Sequence, residues 1–141
     1  MRDILFRAKR ADNGEWVEEI PIKTHIGMFI CYDENPHYCR QYGYMEIDEI
    51  IMVDESTVCQ YTGLTDKNGR KIFEGDIVRR KIVDDYIIGQ VVWFDTGFCG
   101  FHLKCGNRCY PIGKSEQTGI SDCDEVTGNI FDNPIRIWEE S

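Results

Sequence analysis

The sequence has no apolar run approaching the roughly 20 residues that a membrane-spanning helix requires. Its opening stretch, MRDILFRAKRADNG, contains no long apolar segment of the kind that forms a secretion signal. Only three histidines are present, and there is no nucleophile elbow, no zinc-protease histidine pair and no phosphate-binding glycine loop. These absences predict a cytoplasmic protein without a membrane partner, and they exclude the enzyme classes that those motifs define.

Basic residues are also scarce relative to acidic ones. Sixteen Lys and Arg stand against 25 Asp and Glu, which gives a formal net charge of −9. This excess disfavours a general nucleic-acid-binding surface, because neutralising phosphates requires clustered cations. One cluster does occur within residues 67–81, and we call it the basic stretch. Its members are Lys67, Arg70, Lys71, Arg79, Arg80 and Lys81.

Seven cysteines are present, and an odd number without a secretion signal favours free thiols in a reducing compartment. Four side chains resemble a zinc-ligand set, namely Cys99, His102, Cys105 and Cys109. On one strand, however, Cys99 and Cys105 would lie roughly 20 Å apart at about 3.3 Å per residue, and His102 would face the other way. Zinc needs all of its ligands within about 2.3 Å of one point. We therefore predict no metal and no other cofactor, and we interpret the thiols as small apolar side chains.

Turn signals recur along the chain, and nearly every one is followed by a β-branched or aromatic run. Asn-Gly at 13–14 and again at 68–69 predicts two hairpins, because this dipeptide tolerates positive φ. Residues 86–94 form the strongest predicted strand, and residues 98–105 alternate between apolar and polar side chains. Residues 33–43 lack an apolar period and are predicted to form a loop.

The pattern predicts an all-β fold. We expect a small SH3-like or partly open barrel in the C-terminal half, with an N-terminal β-hairpin unit packed on it. Residues 1–141 are predicted to form a single domain, long enough to bury about two-thirds of the unfolded surface. A seam near residues 54–60 offers a subdivision into an N-terminal β unit, residues 1–57, and a barrel, residues 58–141.

Two acidic residues follow the second hairpin. Glu74 and Asp76 are two positions apart, so on an extended segment they share a face, and paired carboxylates can transfer protons if one pKa is raised. No histidine or nucleophile lies near them in sequence, and an Asp after Gly at a strand start is typical of a turn cap. We do not expect an enzyme, and a hydrolase using this pair remains an alternative. Asp66 and Asn68 do not begin a calcium loop, because the glycine and the glutamate fall at the wrong positions.

Four motifs follow one another at residues 60–64, 66–69, 72–78 and 128–134, and the chain opens with Ile-Leu-Phe-Arg-Ala at residues 4–8. The motifs are Gln-Tyr-Thr-Gly-Leu, Asp-Lys-Asn-Gly, Ile-Phe-Glu-Gly-Asp-Ile-Val and Gly-Asn-Ile-Phe-Asp-Asn-Pro. In sequence and order they resemble the pattern of the YopX family, which also has Phe at the second position of the first motif, Ile or Tyr before Glu-Gly-Asp in the third, and Tyr and Glu in the fourth. Cys59 departs from the pattern, which has a small residue such as glycine there. The signature residues are Gln60, Tyr61, Thr62, Gly63, Leu64, Asp66, Asn68, Gly69, Glu74, Gly75, Asp76, Gly128, Asn129, Asn133 and Pro134.

The resemblance implies a protein of bacteriophages or prophages whose biochemical role is not established. It would act in the cytoplasm of an infected or lysogenic bacterial host. We predict a non-enzymatic accessory protein, a β scaffold that binds itself or another host or phage protein and forms a homo-oligomer. The alternative is a barrel that binds single-stranded nucleic acid through nearby aromatic rings and the basic side chains of Arg70, Lys71, Arg79, Arg80 and Lys81.

Overall fold

The computed structural model describes residues 4–31, 37–39, 44–46, 50–94, 100–112, 120–121 and 123–133. Within them the chain consists almost entirely of β-strands with one short 3-10 helix, so the predicted all-β class is confirmed. The chain divides into two compact units, Ile4–Cys59 and Gln60 onward, which we call the N-terminal unit and the C-terminal unit. Their boundary falls inside the predicted seam.

The strands of the N-terminal unit form a hairpin, a three-stranded sheet and a further strand pair, and a bridge between Arg10 and Val53 joins the hairpin to the sheet. Strands β1 and β2 form the hairpin predicted around the first Asn-Gly, β3, β4 and β7 form an antiparallel sheet in that order, and β5 pairs with β6. Strand β5 lies inside the segment predicted as a loop. That prediction was wrong there, because backbone pairing does not require an apolar period. The elements are β1 (Phe6–Lys9), β2 (Trp16–Glu19), β3 (Pro21–Thr24), β4 (Gly27–Cys31), β5 (His37–Cys39), β6 (Tyr44–Glu46), β7 (Ile50–Val53) and the 3-10 helix (Glu55–Thr57).

The core of the N-terminal unit is small and apolar. Ala8 and Ile30 are fully buried, and Val17 and Val53 are nearly so. Because alternate residues of a strand face opposite sides, Ile30 and Val53 place one face of the β3–β4–β7 sheet against this core. The other face of the sheet is therefore turned away from it.

Five strands of the C-terminal unit form an antiparallel sheet in the order β13-β12-β11-β10-β15. This sheet is open, with no closed barrel among the described residues. Strand β8 pairs antiparallel with β9 and parallel with β14. The strands are β8 (Cys59–Asp66), β9 (Lys71–Phe73), β10 (Asp76–Ile82), β11 (Asp85–Phe94), β12 (Gly100–Cys105), β13 (Arg108–Pro111), β14 (Ile120–Ser121) and β15 (Asp124–Asn129).

The core of the C-terminal unit lies on one face of this open sheet. Leu103 and Val91 are fully buried, and they are directly opposite each other in the pairing of β11 with β12. The alternation predicted for residues 98–105 is confirmed where the chain is described, because Phe101 and Leu103 are buried while Lys104 is exposed. The core as a whole consists of Ile72, Val78, Val91, Phe101, Leu103 and Val126.

Candidate functional site

The buried carboxylate of Asp66 lies at the centre of the family signature. Asp66 is the last residue of β8 and is 1% exposed. Its Oδ1 accepts hydrogen bonds from the amides of Asn68 and Arg70, each at 2.9 Å, and its Oδ2 accepts one from the amide of Val126 at 2.9 Å. One side chain thus closes the turn after β8 and attaches that turn to β15.

The same turn requires a glycine. Gly69 has a φ of +81°, a conformation that side chains of L residues rarely adopt, and its amide donates to the Asp66 carbonyl at 3.0 Å. The amide of Lys67 donates to the Asp124 carbonyl at 3.0 Å, which adds a second attachment to β15. The hairpin predicted at the second Asn-Gly is therefore present. Its turn also donates a backbone hydrogen bond to β15, the edge strand of the five-stranded sheet.

The Gln-Tyr-Thr-Gly-Leu segment forms the middle of β8. The hydroxyl of Thr62, which is 5% exposed, donates to the Ile72 carbonyl at 2.8 Å and accepts from the Leu64 amide at 3.2 Å. The register of β8 on β9 shifts between Tyr61 and Thr65, and Gly63 lies within that irregularity. The threonine hydroxyl replaces ladder hydrogen bonds that the irregularity removes.

Glu74 is positioned by the same strand pair. Its amide donates to the Gln60 carbonyl at 2.9 Å, and beside it the ring of Phe73 packs on Tyr61 with centroids 5.4 Å apart. The Glu74 side chain is partly buried, and this burial raises the pKa of its carboxyl above the ordinary value of 4.5.

Gly75 and Asp76 connect β9 to the five-stranded sheet. The Oδ2 of Asp76, 1% exposed, accepts from the Phe73 amide at 2.8 Å, which is the turn cap expected from the sequence. The amide of Gly75 donates to the Val91 carbonyl at 2.9 Å, and its own carbonyl accepts from the Ile130 amide at 2.9 Å. A hydrolytic role for Glu74 and Asp76 stays a prediction.

Asn129 organises the turn after β15. It is 7% exposed, and its Oδ1 accepts from the amides of Phe131 and Asp132 at 3.0 and 2.9 Å. Its Nδ2 donates to the Asp132 carboxylate at 3.0 Å. This is the local side-chain-to-backbone pattern for which Asn is favoured in turns.

Gly128 and Asn133 complete that turn. The Oδ1 of Asn133 accepts from the Asn129 amide at 3.3 Å, and the Asn133 amide donates to the Asn129 carbonyl at 2.9 Å. A Cβ on Gly128 would lie 2.9 Å from Cγ of Asn133 and closer still to its Oδ1, so no larger residue fits without a shift. Pro134 lies outside the described residues. The second half of the signature is therefore also a hydrogen-bonded turn.

Lys67, Arg79 and Arg80 of the basic stretch form ion pairs. The guanidinium of Arg79 donates to Glu125 Oε2 at 2.7 Å, and Lys67 Nζ lies 3.6 Å from the same oxygen. The hydrogen bond from Arg79, aided by the charge of Lys67, lowers the pKa of Glu125 below 4.5. Arg79 also lies 4.8 Å above the ring of Tyr86. The single carboxylate of Glu125 offsets one of the two positive charges of Arg79 and Lys67.

Arg80 forms the most buried ion pair of the C-terminal unit among the residues described. Its Nε lies 2.6 Å from Asp124 Oδ1 and its Nη2 lies 3.0 Å from Oδ2, with side chains 17% and 1% exposed. Nη1 also donates to the Pro111 carbonyl at 3.3 Å. The Asp124 carboxylate raises the pKa of Arg80 above its ordinary value. This geometry ties β10 to β15 and makes Arg80 a structural residue.

The other three basic residues, Arg70, Lys71 and Lys81, are exposed. They lie in the turn after β8, at the start of β9 and near the end of β10. Lys67 and Arg79 also keep side-chain exposures of 44% and 41%, so Arg80, at 17%, is better shielded than either. A contact with phosphates through the exposed basic side chains stays a prediction.

Three members of the cysteine and histidine set, His102, Cys105 and Cys109, lie within the described residues. No three His, Cys, Asp or Glu side chains group closely enough to hold a metal ion in the part of the chain that the structure describes, which omits Cys99. Cys105 pairs with Arg108 and Cys109 with Lys104, so the two thiols point to opposite faces of the sheet. Cys109 is exposed, whereas Cys105 packs on the core, where burial raises the pKa of its thiol.

The sequence did not reveal a surface that the structure makes prominent. On the side of the β3–β4–β7 sheet away from the core, Ile22 pairs with Phe29 and Phe29 with Met52, while Cys31 pairs with Ile50. Ile22, Ile50 and Met52 are 47%, 56% and 46% exposed. We call these five residues the outer apolar face. The unbroken apolar run at 50–53 was the available signal, because a strand with two apolar faces shows no alternation.

A shallow depression of about 380 Å³ adjoins the outer apolar face. It contains an ion pair in which Arg10 Nε and Nη2 donate to Asp12 Oδ1 and Oδ2 at 2.8 and 2.7 Å. The hydrogen bond from Arg10 lowers the pKa of Asp12. The depression is lined by Arg10, Ala11, Asp12, Ile50, Ile51 and Met52.

These features define an all-β protein of two compact units, one held by a framework of buried aspartate and asparagine turns and the other carrying an uncovered apolar sheet face. The turn framework coincides with the family signature. The chain belongs to the YopX family, described as YopX protein, whose model matches residues 5–137.

Comparison with solved structures agrees with this assignment. The chain is similar to protein EF1440 from Enterococcus faecalis, with 25% sequence identity and a TM-score of 0.64 over 95% of this chain and 97% of that chain. A comparison with curated proteins found no match. Within the described residues, no helix combines the length and apolar character that crossing a bilayer demands.

Proposed function

We propose that this chain is a non-enzymatic accessory protein of phage or prophage origin, working in the host cytoplasm as a β scaffold that binds protein and forms a homo-oligomer. The observation that carries the proposal is the outer apolar face. Three of its side chains, Ile22, Ile50 and Met52, are about half exposed. Phe29 of the central strand β4 lies between Ile22 of β3 and Met52 of β7, so the apolar side chains form a row across the sheet. Contiguous exposed apolar surface of this kind marks interaction sites more often than single exposed residues do.

The buried polar residues of the family signature also support a role as a scaffold. The carboxylates of Asp66 and Asp76 and the amide of Asn129 are buried and bonded to backbone groups of their own unit. Residues used in this way maintain the positions of turns, and the scaffold that they stabilise is then available to present a binding surface.

A pull-down of the tagged chain from host bacterial lysate tests this function, with and without nuclease and read by mass spectrometry. The wild type is expected to retain a stoichiometric protein partner after nuclease treatment. Met52→Lys places a charge on the outer apolar face and should lose that partner. Ile82→Lys is the matched control, because Ile82 is 40% exposed in the C-terminal unit, close to the 46% of Met52. A pure protein that is monomeric and captures no protein contradicts the proposal.

A second candidate is binding of single-stranded nucleic acid, favoured by the exposure of Arg70, Lys71 and Lys81. Fluorescence anisotropy with a labelled single-stranded oligonucleotide tests it. Electrostatic binding would weaken steeply with salt, with a slope of roughly −0.7 per phosphate neutralised. Lys81→Glu should then reduce the slope, whereas Lys23→Glu, an exposed lysine of the N-terminal unit, should not. No binding at low salt removes this candidate.

A further inference from the structure

We infer that the outer apolar face is an interface between two copies of this chain, which pack it face to face about a two-fold axis. The inference rests on the proposed function and names one partner for the scaffold, namely a second copy. It depends on three properties of the face: it carries no charge, it is continuous, and its sheet has an edge unsuited to adding strands.

The absence of charge is a property of the whole surface. Alternation places seven residues of β3, β4 and β7 on this side of the sheet, namely the five of the outer apolar face with Thr24 and Gly27, and all seven are uncharged. Met52 and Phe29 flank Gly27, because a Cβ there would lie 3.5 Å from Met52 Cε and 3.8 Å from the Phe29 ring. The surface is therefore continuous across the strands. The seven residues are Ile22, Thr24, Gly27, Phe29, Cys31, Ile50 and Met52.

The net negative charge of the chain favours an uncharged surface as the contact between two copies. Each copy carries a formal net charge of −9, so two copies repel wherever acidic surfaces meet. The outer apolar face avoids that repulsion. Its neighbouring charges, Arg10 and Asp12, already offset each other at 2.7–2.8 Å. A two-fold contact here would bury no unpaired charge, which is the costly outcome in an interface.

The edge of the sheet argues for face-to-face packing over strand addition. Strand β3 is one of the two edge strands, and it begins with Pro21, which has no amide hydrogen to donate. The other edge strand, β7, already forms backbone hydrogen bonds with residues 9–11. Lys23 adds a charge to the same strand, 2.6 Å from Glu55. Proline and lysine on an edge both discourage further strand pairing. Two such sheets can instead stack about 10 Å apart with their side chains interdigitated.

The size of the surface sets the strength of the contact. Three half-exposed residues of the face, with Phe29 and Cys31 between them and Ile26 68% exposed in the β3–β4 turn, present on the order of 500 Å² per copy. Two copies would bury on the order of 1,000 Å², which is at the lower limit for specific interfaces. The dimer is therefore expected to be weak and to depend on concentration.

Sedimentation velocity tests the dimer directly. From about 1 μM to about 1 mM, a range that spans weak dissociation constants, the wild type should double its mass from 16.5 kDa. Met52→Lys and Ile50→Lys should stay monomeric throughout, because each buries an unpaired ammonium if the face closes. Ile82→Lys should dimerise like the wild type. A wild type that stays monomeric, or a Met52→Lys variant that associates equally well, overturns the inference.

Alkylation of Cys31 gives a second readout that needs no variant. Cys31 lies on the outer apolar face, whereas Cys109 is exposed in the C-terminal unit. Raising the protein concentration should slow alkylation of Cys31 at least about fivefold while leaving Cys109 unchanged, as measured on peptides by mass spectrometry. Equal rates at all concentrations contradict the dimer. A monomer that captures a host protein by pull-down would remove the dimer and the homo-oligomer of the proposed function, and would leave its protein-binding role standing.

Discussion

The two units of the protein differ in what they bury. The N-terminal unit has an apolar core around Ile30 and leaves the opposite face of the same sheet apolar and exposed. The C-terminal unit buries carboxylates as well as apolar side chains. All three fully buried carboxylates among the described residues, Asp66, Asp76 and Asp124, are there.

This difference determines how tightly each unit constrains its residues. A buried carboxylate is stable only when donors at fixed positions face it, so the identity of the residue and the path of the backbone are both specified. An apolar core requires mainly suitable volume, so several residues can fill one position. The family signature accordingly lies in the C-terminal unit, where polar geometry is specified.

The largest expected effect is that of Asp66→Asn. The amide NH₂ of asparagine would face a backbone N–H where an oxygen now accepts, and a buried donor would lose its partner. We expect a loss of about 3 kcal/mol in the free energy of unfolding. Urea unfolding measures the loss, and hydrogen exchange should place it in the C-terminal unit.

Asp54→Asn is the matched control in the N-terminal unit. Asp54 caps the 3-10 helix by accepting from the Ser56 amide at 3.1 Å, and asparagine caps equally well. The loss should stay below about 0.5 kcal/mol. If Asp66→Asn and Asp54→Asn lowered the free energy of unfolding equally, the two units would not differ in how strictly they specify a carboxylate.

Gly128→Ala should cost about 2 kcal/mol, because the new methyl group overlaps the Asn133 side chain. The double variant with Asn133→Ala removes the overlap and should recover about half of the loss, since it also removes the bond to the Asn129 amide. Urea unfolding of the two single variants and the double variant measures the coupling. Strictly additive losses would show that the close approach is not the cause.

Ile30→Val probes the apolar core of the N-terminal unit. Ile30 is fully buried, and deleting one methyl group should cost about 1 kcal/mol by leaving a small cavity. This is less than the effect of Asp66→Asn, although both replacements are conservative. A loss above about 3 kcal/mol in urea unfolding would show that the N-terminal core is as strictly specified as the polar framework.

The smallest effect concerns Glu74. Burial raises the pKa of the Glu74 carboxyl in the folded protein above its value in the unfolded chain. The protonated carboxyl therefore favours folding. This contribution to stability is fully present below the unfolded-state pKa and is lost as the pH rises through the folded-state pKa. Glu74→Gln should therefore stabilise the protein near neutral pH, by a few tenths of a kcal/mol after allowance for solvent screening. The gain should vanish in urea titrations at acidic pH.

Glu125→Gln should change the stability near neutral pH in the opposite direction to Glu74→Gln. Arg79 lowers the pKa of Glu125, so its contribution is present above the unfolded pKa and is lost as the pH falls through the lowered value. The variant should be less stable than the wild type near neutral pH and equal to it in acid. The same sign for both variants would contradict the assigned causes.

Much of the local structure was predictable. The Asn-Gly hairpins, the alternation along β12 and the cap by Asp76 depend on residues within about four positions of one another, and such interactions are specified by sequence neighbours. Strand β5 was missed because its pairing with β6 leaves no apolar period to detect.

The candidate site was less predictable. The sequence marked Arg79 and Arg80 as candidate cations but not their ion pairs with Glu125 and Asp124, more than 40 residues away. It marked Asp66 as a turn residue but not as an acceptor for the Val126 amide. The pairing of β10 with β15 brings the two arginines beside the two carboxylates, and its register depends on packing between distant segments.

The sequence by itself determined the all-β class, the turns and the family, because turn chemistry and strand periodicity act over a few adjacent residues. Only the tertiary structure decided that the signature acts as one hydrogen-bonded framework and that an apolar face of the N-terminal unit stays exposed. The physical reason is that burial and charge pairing depend on which distant strands become neighbours. An isoleucine in a strand has the same local preferences whether its face is covered or open to solvent.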